Sequence, residues 1–197
     1  MALSPRILRA ADRIAVPWKN GGGLTREVAV HPPGSALADF EWRVSMAEVR
    51  TGGSFSSFPD IDRLLAVLEG SLTLMIAGRP PATLSPDTPP VHFPGDVAVS
   101  AALPGGAVTD LNVMIRRGRW RARMSRAVVE GLASLFLGEG SALLIALTPL
   151  LVSSGASGHE LVRLDAVLLE GPVTCEVRSA EAPGALWLIE LTSHMPA

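Results

Sequence analysis

A single cysteine, Cys175, stands among 197 residues, so no intramolecular disulfide can form and no second thiol is present for a zinc cluster. Charge is scarce too. Charged residues make up 18% of the chain, and 17 basic against 19 acidic side chains leave a net charge of −2. No global field draws such a chain to nucleic acid or to a membrane surface. Long apolar runs are also missing: the most hydrophobic stretch, Ala142 to Val152, contains Pro149 and is far below the roughly 20 residues that span a bilayer. It reads as a buried strand pair. The first thirty residues lack a basic region followed by an uninterrupted apolar core and a small-residue cleavage site. The expected compartment is the cytoplasm, with neither nucleic acid nor membrane as partner.

Helical periodicity is the next absence. In its place, β-rich runs such as Phe40 to Val49, Leu64 to Ala77 and Asp96 to Ala101 recur between turn signals, drawing on 48% hydrophobic residues. The turns use 19 glycines and 16 prolines, in clusters such as Gly21-Gly22-Gly23, Gly78-Arg79-Pro80-Pro81 and Pro104-Gly105-Gly106. Two apolar runs opened by glycine and serine, at Gly70 to Ile76 and Gly140 to Ala146, suggest an internal repeat about seventy residues long. The same offset sets Phe93 to Val99 beside Val162 to Leu168. The expectation is an all-β chain of two tandem units, residues 1–118 and 119–197.

The usual catalytic signatures are absent. There is no Walker spacing, no Gly-x-Ser-x-Gly elbow, and His31, His92, His159 and His194 are scattered without ligand spacing. The most distinctive local motif is Pro17-Trp18-Lys19-Asn20-Gly21-Gly22-Gly23-Leu24-Thr25-Arg26-Glu27. Its polar residues Lys19, Asn20, Thr25, Arg26 and Glu27 either line a pocket or decorate an ordinary hairpin. From Arg117 to Arg123 arginines alternate with other residues, which puts them on one face of an extended strand. Such a face is an anion, nucleic-acid or protein-contact surface, or a solvated edge protected by charge.

The hairpin around Glu69-Gly70-Ser71 and the turn Phe93-Pro94-Gly95-Asp96 resemble the two motifs of cupins, which implies jelly-roll barrels. Where a cupin carries a metal-binding glutamate, counting back from Gly70 gives Arg63, and the histidine slots fall on Ser56, Ser57, Phe58, Pro59 and Ala98. No metal or cofactor is expected. A guanidinium at that position suits a carboxylate or phosphate, unless it is clamped by its neighbours Asp60 or Asp62. If Trp42, Arg43 and Ser45 share a strand, Arg43 and Ser45 face one side and Trp42 the other.

The opening motif, Phe40 to Ser45, Gly53 to Pro59 through Asp62-Arg63, and Asp110-Leu111-Asn112-Val113-Met114 together resemble the HutD/Ves family of the cupin superfamily. Ser54, Asp60 and Leu111 depart from it, where the family commonly has proline, glycine and phenylalanine. The resemblance implies a cytoplasmic protein of two cupin barrels, associated with histidine utilisation. Its implied role is to bind a small carboxylate metabolite (urocanate, formiminoglutamate or formylglutamate) in the first barrel and so modulate the pathway. The expected ligand-binding residues are Lys19, Asn20, Thr25, Arg26, Glu27, Arg43, Ser45, Phe55, Ser56, Arg63 and Asn112, with no catalytic residue assigned. A metal-independent enzyme using Glu27 or Lys19 as acid or base is the alternative. A homodimer is left open.

Overall fold

A computed structural model describes residues 5–155, 157–179 and 183–194. Apart from one 3-10 turn at Ala10–Asp12, its regular structure is β. In chain order the strands are β1 Arg6–Leu8, β2 Ala15–Pro17, β3 Gly23–His31, β4 Trp42–Val49 and β5 Gly53–Ser54. Next come β6 Ile61–Glu69, β7 Leu72–Ile76, β8 Ala82–Leu84, β9 Val91–Pro94, β10 Val99–Ala102 and β11 Val108–Arg116. The remainder are β12 Trp120–Val129, β13 Leu132–Leu137, β14 Ser141–Ala146, β15 Leu150–Ser154, β16 Ser157–Leu161, β17 Ala166–Glu170, β18 Val173–Ser179 and β19 Gly184–Ser193.

The chain divides into two compact units, residues 14–120 and residues 1–13 with 121–197. The expected boundary at 118/119 therefore moves by two residues, and the first thirteen residues belong with the C-terminal half. Long-range pairing is the cause: β1 runs antiparallel to β17, with Arg6 opposite Leu168. Just beyond it, the buried Asp165 carboxylate accepts the Ala10 backbone N–H at 2.7 Å and Arg9 Nη1 at 2.8 Å. Charge-assisted bonds of this kind hold the segment more firmly than three residues of ladder would alone.

In the first unit a six-stranded sheet, ordered β2-β3-β4-β11-β6-β9, accompanies a four-stranded sheet, β5-β10-β7-β8. Leu65, Val67 and Val108 from the larger sheet and Leu72, Leu74, Ile76, Val99 and Ala101 from the smaller form its core. The second unit has the orders β1-β17-β14-β19-β12 and β13-β18-β15-β16. Its core joins Ala142, Leu144, Val167, Leu169 and Leu186 to Val152, Cys175 and Val177.

Eight strands of each unit correspond in order: β4, β11, β6 and β9 match β12, β19, β14 and β17, and β5, β10, β7 and β8 match β13, β18, β15 and β16, while β2 and β3 flank β4 in the first unit and β1 flanks β17 in the second. This corrects the register of the repeat. Gly70 closes β6, whereas Gly140 precedes β14, the counterpart of that same strand. The true offset is larger, with β7 starting at Leu72 and β15 at Leu150, and β11 starting at Val108 and β19 at Gly184. Both glycines have positive φ, +79° and +106°, which is why two different turns looked alike in sequence.

Strands β4, β6 and β11 are buried along almost their whole length on both faces. Strands in that position read as continuous apolar runs. Here the runs are interrupted by Ser45, Arg63, Asp110 and Asn112, each buried. Burying such groups is costly unless they are satisfied, so their position asks for a reason.

Candidate functional site

Strand register shows that these four interruptions lie together. Directly opposite residues in a ladder share a face, and Ser45 is opposite both Glu27 and Asn112, while Asn112 is opposite Leu65. Leu65 belongs to the core of the first unit, so Glu27, Ser45 and Asn112 point inward with it. One row along, Arg43 is opposite Met114, which is opposite Arg63, which is opposite Phe93. On the other side Asp110 lies between Ala47 and Val67. A polar patch thus crosses β3, β4, β11 and β6 on the inner face. Among the described residues it contains four of the six buried polar or charged side chains of the chain, the other two being Ser141 and Asp165.

Arg63 lies at the β6 end of the patch. It is 7% exposed, and its Nε and Nη2 both donate to Asn112 Oδ1, at 3.2 and 3.1 Å. Three rings surround the guanidinium: Phe55, Phe93 and Phe58 have centroids 5.0, 5.3 and 5.8 Å from Cζ. Such aromatic faces stabilise a cation without neutralising it. Among the described residues no carboxylate forms an ion pair with Arg63, and no bond occupies its Nη1. Desolvation lowers its pKa to about 10, Asp110 opposes that shift, and the nearby positive charge of Arg43 adds to it. At neutral pH Arg63 is a buried cation with spare donors.

Arg43 is the second cation. Its Nε donates to Glu27 Oε2 at 2.8 Å and its Nη1 to Ser45 Oγ at 3.4 Å. Side-chain exposure falls from 43% at Glu27 to 15% at Arg43, so the patch runs from an accessible end at β3 to a dry end at Arg63. Thr25 is also on this face, and its Oγ1 accepts the Trp18 indole N–H at 2.8 Å. Gly23 is required for that contact. A Cβ there would lie 2.5 Å from Glu48 O and 3.2 Å from the Trp18 ring.

Asp110 is the residue the sequence reading missed. It is 4% exposed, and burial raises its pKa to about 7, while Arg63 and the Ala47 backbone N–H favour the charged form. The missed signal was simple: two residues before Asn112 on one strand means the same face.

Alternation also separates the other expected residues. Arg26 neighbours Glu27 and therefore points to the opposite face, where its Nη1 lies 3.9 Å from Glu48. Lys19 and Asn20 are exposed in the turn, where Asn20 Oδ1 accepts the Gly22 N–H. Ser56 is exposed next to Phe55. The proposed clamp on Arg63 by Asp60 or Asp62 is not made. Asp62 instead accepts Arg117 Nε at 2.8 Å, and Arg117 forks onto Asp96 with two bonds of 2.9 Å. Arg119 pairs with Glu41, so two of the alternating arginines are engaged within the unit. Trp42 is buried on the reverse face and stacks on His31.

The donor set does not fit the metal that a cupin carries at this place. Two guanidinium groups face the same space, and Asn112 Oδ1 already accepts two N–H groups. A divalent cation needs converging uncharged nitrogen or anionic ligands, and among the described residues no group of three His, Cys, Asp or Glu side chains converges. In the second unit the strand matching β11 offers Leu186 and Leu188 where the first has Asp110 and Asn112. A small depression there has the charges of Glu139 and Glu190, the wrong sign for an anion.

A model of the HutD family matches residues 10–187. An uncharacterised 21.2 kDa protein of the hutC 3′ region of Pseudomonas putida is 36% identical over 193 residues, 96% of this chain and 98% of that one. The Ves protein of Citrobacter koseri is 38% identical over 108 residues, covering 54% of this chain and 56% of that protein. Among solved structures, HutD from Pseudomonas fluorescens superposes with a TM-score of 0.83 at 30% identity, covering 98% of this chain and 100% of that one. A cupin barrel protein of Leptotrichia buccalis shares the fold, with a TM-score of 0.58 at 11% identity over 90% of this chain and 92% of that one. Among the described residues no helix is long and apolar enough to cross a membrane.

Proposed function

The chain belongs to the HutD family, and we propose that it binds a small carboxylate metabolite of histidine catabolism at Arg63 and thereby modulates histidine utilisation. The observation that carries this reading is the state of Arg63, a buried cation with free donors and no ion-pair partner among the described residues. An isolated buried charge is unfavourable, and an anion that completes it recovers both the Coulomb and the hydrogen-bonding terms. The family connection and the relative from the hutC 3′ region favour urocanate, formiminoglutamate or formylglutamate as the anion.

In this reading the ligand carboxylate meets Arg63 Nη1 at the dry end. Arg43, Ser45 and Thr25 contact the rest of the molecule towards the mouth, and Asn112 orients Arg63. Glu27 is engaged by Arg43 and Lys19 lies in an exposed turn, so neither alternative acid or base is placed against the buried cation. A thermal-shift screen tests the proposal, because a ligand that binds only the folded state raises its stability by about 2.7 kcal/mol at a hundredfold excess over Kd. The expected result is a rise with at least one of the three acids, absent in Arg63→Ala. No shift with any of them would refute it.

A further inference from the structure

We propose that Asp110 couples anion binding at Arg63 to the uptake of a proton, so that the site takes its carboxylate ligand together with one hydrogen ion. This deepens the binding proposal and rests on it. Asp110 and Arg63 are on adjacent strands of the same inner face, both more than nine-tenths buried, and interact through their charges without a direct ion pair. In the empty site the carboxylate of Asp110 balances the guanidinium. A ligand carboxylate on Arg63 replaces that balance, and two anions then share one buried cation. Protonating one of them relieves the repulsion.

The proton falls to Asp110 because its surroundings offer little else. On β11 its inward neighbours are Val108 and Asn112, and on β6 Val67 lies opposite it, followed along the same face by Leu65 and then Arg63. Strand β4 presents Ala47, Ser45 and Arg43, and Arg43 is engaged by Glu27 of β3, next to Thr25. Glu48 and Arg26 face the other way and pair with each other. Glu69, at the end of β6, accepts the Thr109 hydroxyl. From the four-stranded sheet come only apolar core residues, Leu72, Leu74, Ile76, Val99 and Ala101. Among the described residues no carboxylate, histidine or cysteine other than Asp110 shares the buried end with Arg63. Its ionisation near neutrality places the coupling in an accessible range.

The sign follows. Below about pH 7 Asp110 is already protonated in the empty site and affinity is flat. Above it, binding draws a proton from solvent and affinity falls by up to about tenfold per pH unit. The test is titration calorimetry of the whole chain with formylglutamate, whose carboxylates stay ionised between pH 6 and pH 9. At pH 8, paired runs in triethanolamine and Tris, cationic buffers of different ionisation heat, should differ in heat by the uptake of about one proton, and affinity should fall from pH 7 to pH 9. Asp110→Asn should bind with no pH dependence and tighter than the parent at pH 9. Binding with no proton uptake and a flat profile in the parent chain would overturn the coupling while leaving the anion site intact. Absence of binding at every pH would overturn both.

Discussion

Arg63 gives two hydrogen bonds, from Nε and Nη2, to the single oxygen Oδ1 of Asn112 on the neighbouring strand. This relationship fixes more than a side-chain rotamer. It directs the amide oxygen to the cation, leaves Asn112 Nδ2 as a further donor, and holds Nη1 of Arg63 away from the strand that positions it. The bond pair is the scaffold of the site and the ligand completes it.

Asn112→Leu should therefore separate positioning from charge. The substitution leaves Arg63 protonated but without its acceptor, which costs about 1–3 kcal/mol in stability. Carboxylate affinity should fall by about tenfold or more without vanishing, because the cation remains. Urea melts and calorimetry check the two effects, and Asn112→Gln should recover neither fully, since its longer arm moves the oxygen.

Stability should depend on pH through Asp110. Its folded-state pKa is raised from the usual carboxylate range to about 7. The folded state thus binds a proton that the unfolded chain has released, and stability is greatest below about pH 4 with respect to this group and declines as pH rises to about 7. Asp110→Asn should flatten that decline in melts recorded from pH 4 to pH 8. An unchanged slope would remove Asp110 as its source.

Asp60 has φ +61°, in the left-handed region, at the turn that leads into β6. Glycine is what the family resemblance leads one to expect here, and the backbone supplies a reason, since only glycine adopts this conformation without a steric cost. Asp60 O still accepts the Arg117 backbone N–H at 2.8 Å. Asp60→Gly should raise the unfolding free energy by about 0.5–1 kcal/mol and leave ligand affinity unchanged. A loss of affinity would mean the aspartate side chain acts on the site.

Much of the inner face was legible from period-two alternation. It correctly grouped Arg43 with Ser45 and turned Trp42 away, and counting from Gly70 found Arg63. The same rule, applied to every strand, would have excluded Arg26 and found Asp110. The N-terminal pairing of Arg6–Leu8 with β17 was not legible, because a three-residue strand has no periodicity and its partner lies some 160 positions away. The repeat was found in the wrong register, since a glycine after a strand and a glycine before one begin similar apolar runs. Strand order distinguishes them where sequence does not.

Whether Arg63 is an anion receptor is measured by calorimetric titration of formylglutamate, formiminoglutamate and urocanate into the whole chain and into Arg63→Ala. Saturable one-to-one binding of at least one of them is expected near pH 7, lost in Arg63→Ala while that variant still melts cooperatively, with the ligand recovered chemically unchanged. Equal binding by both proteins, or recovery of a converted product, would contradict it.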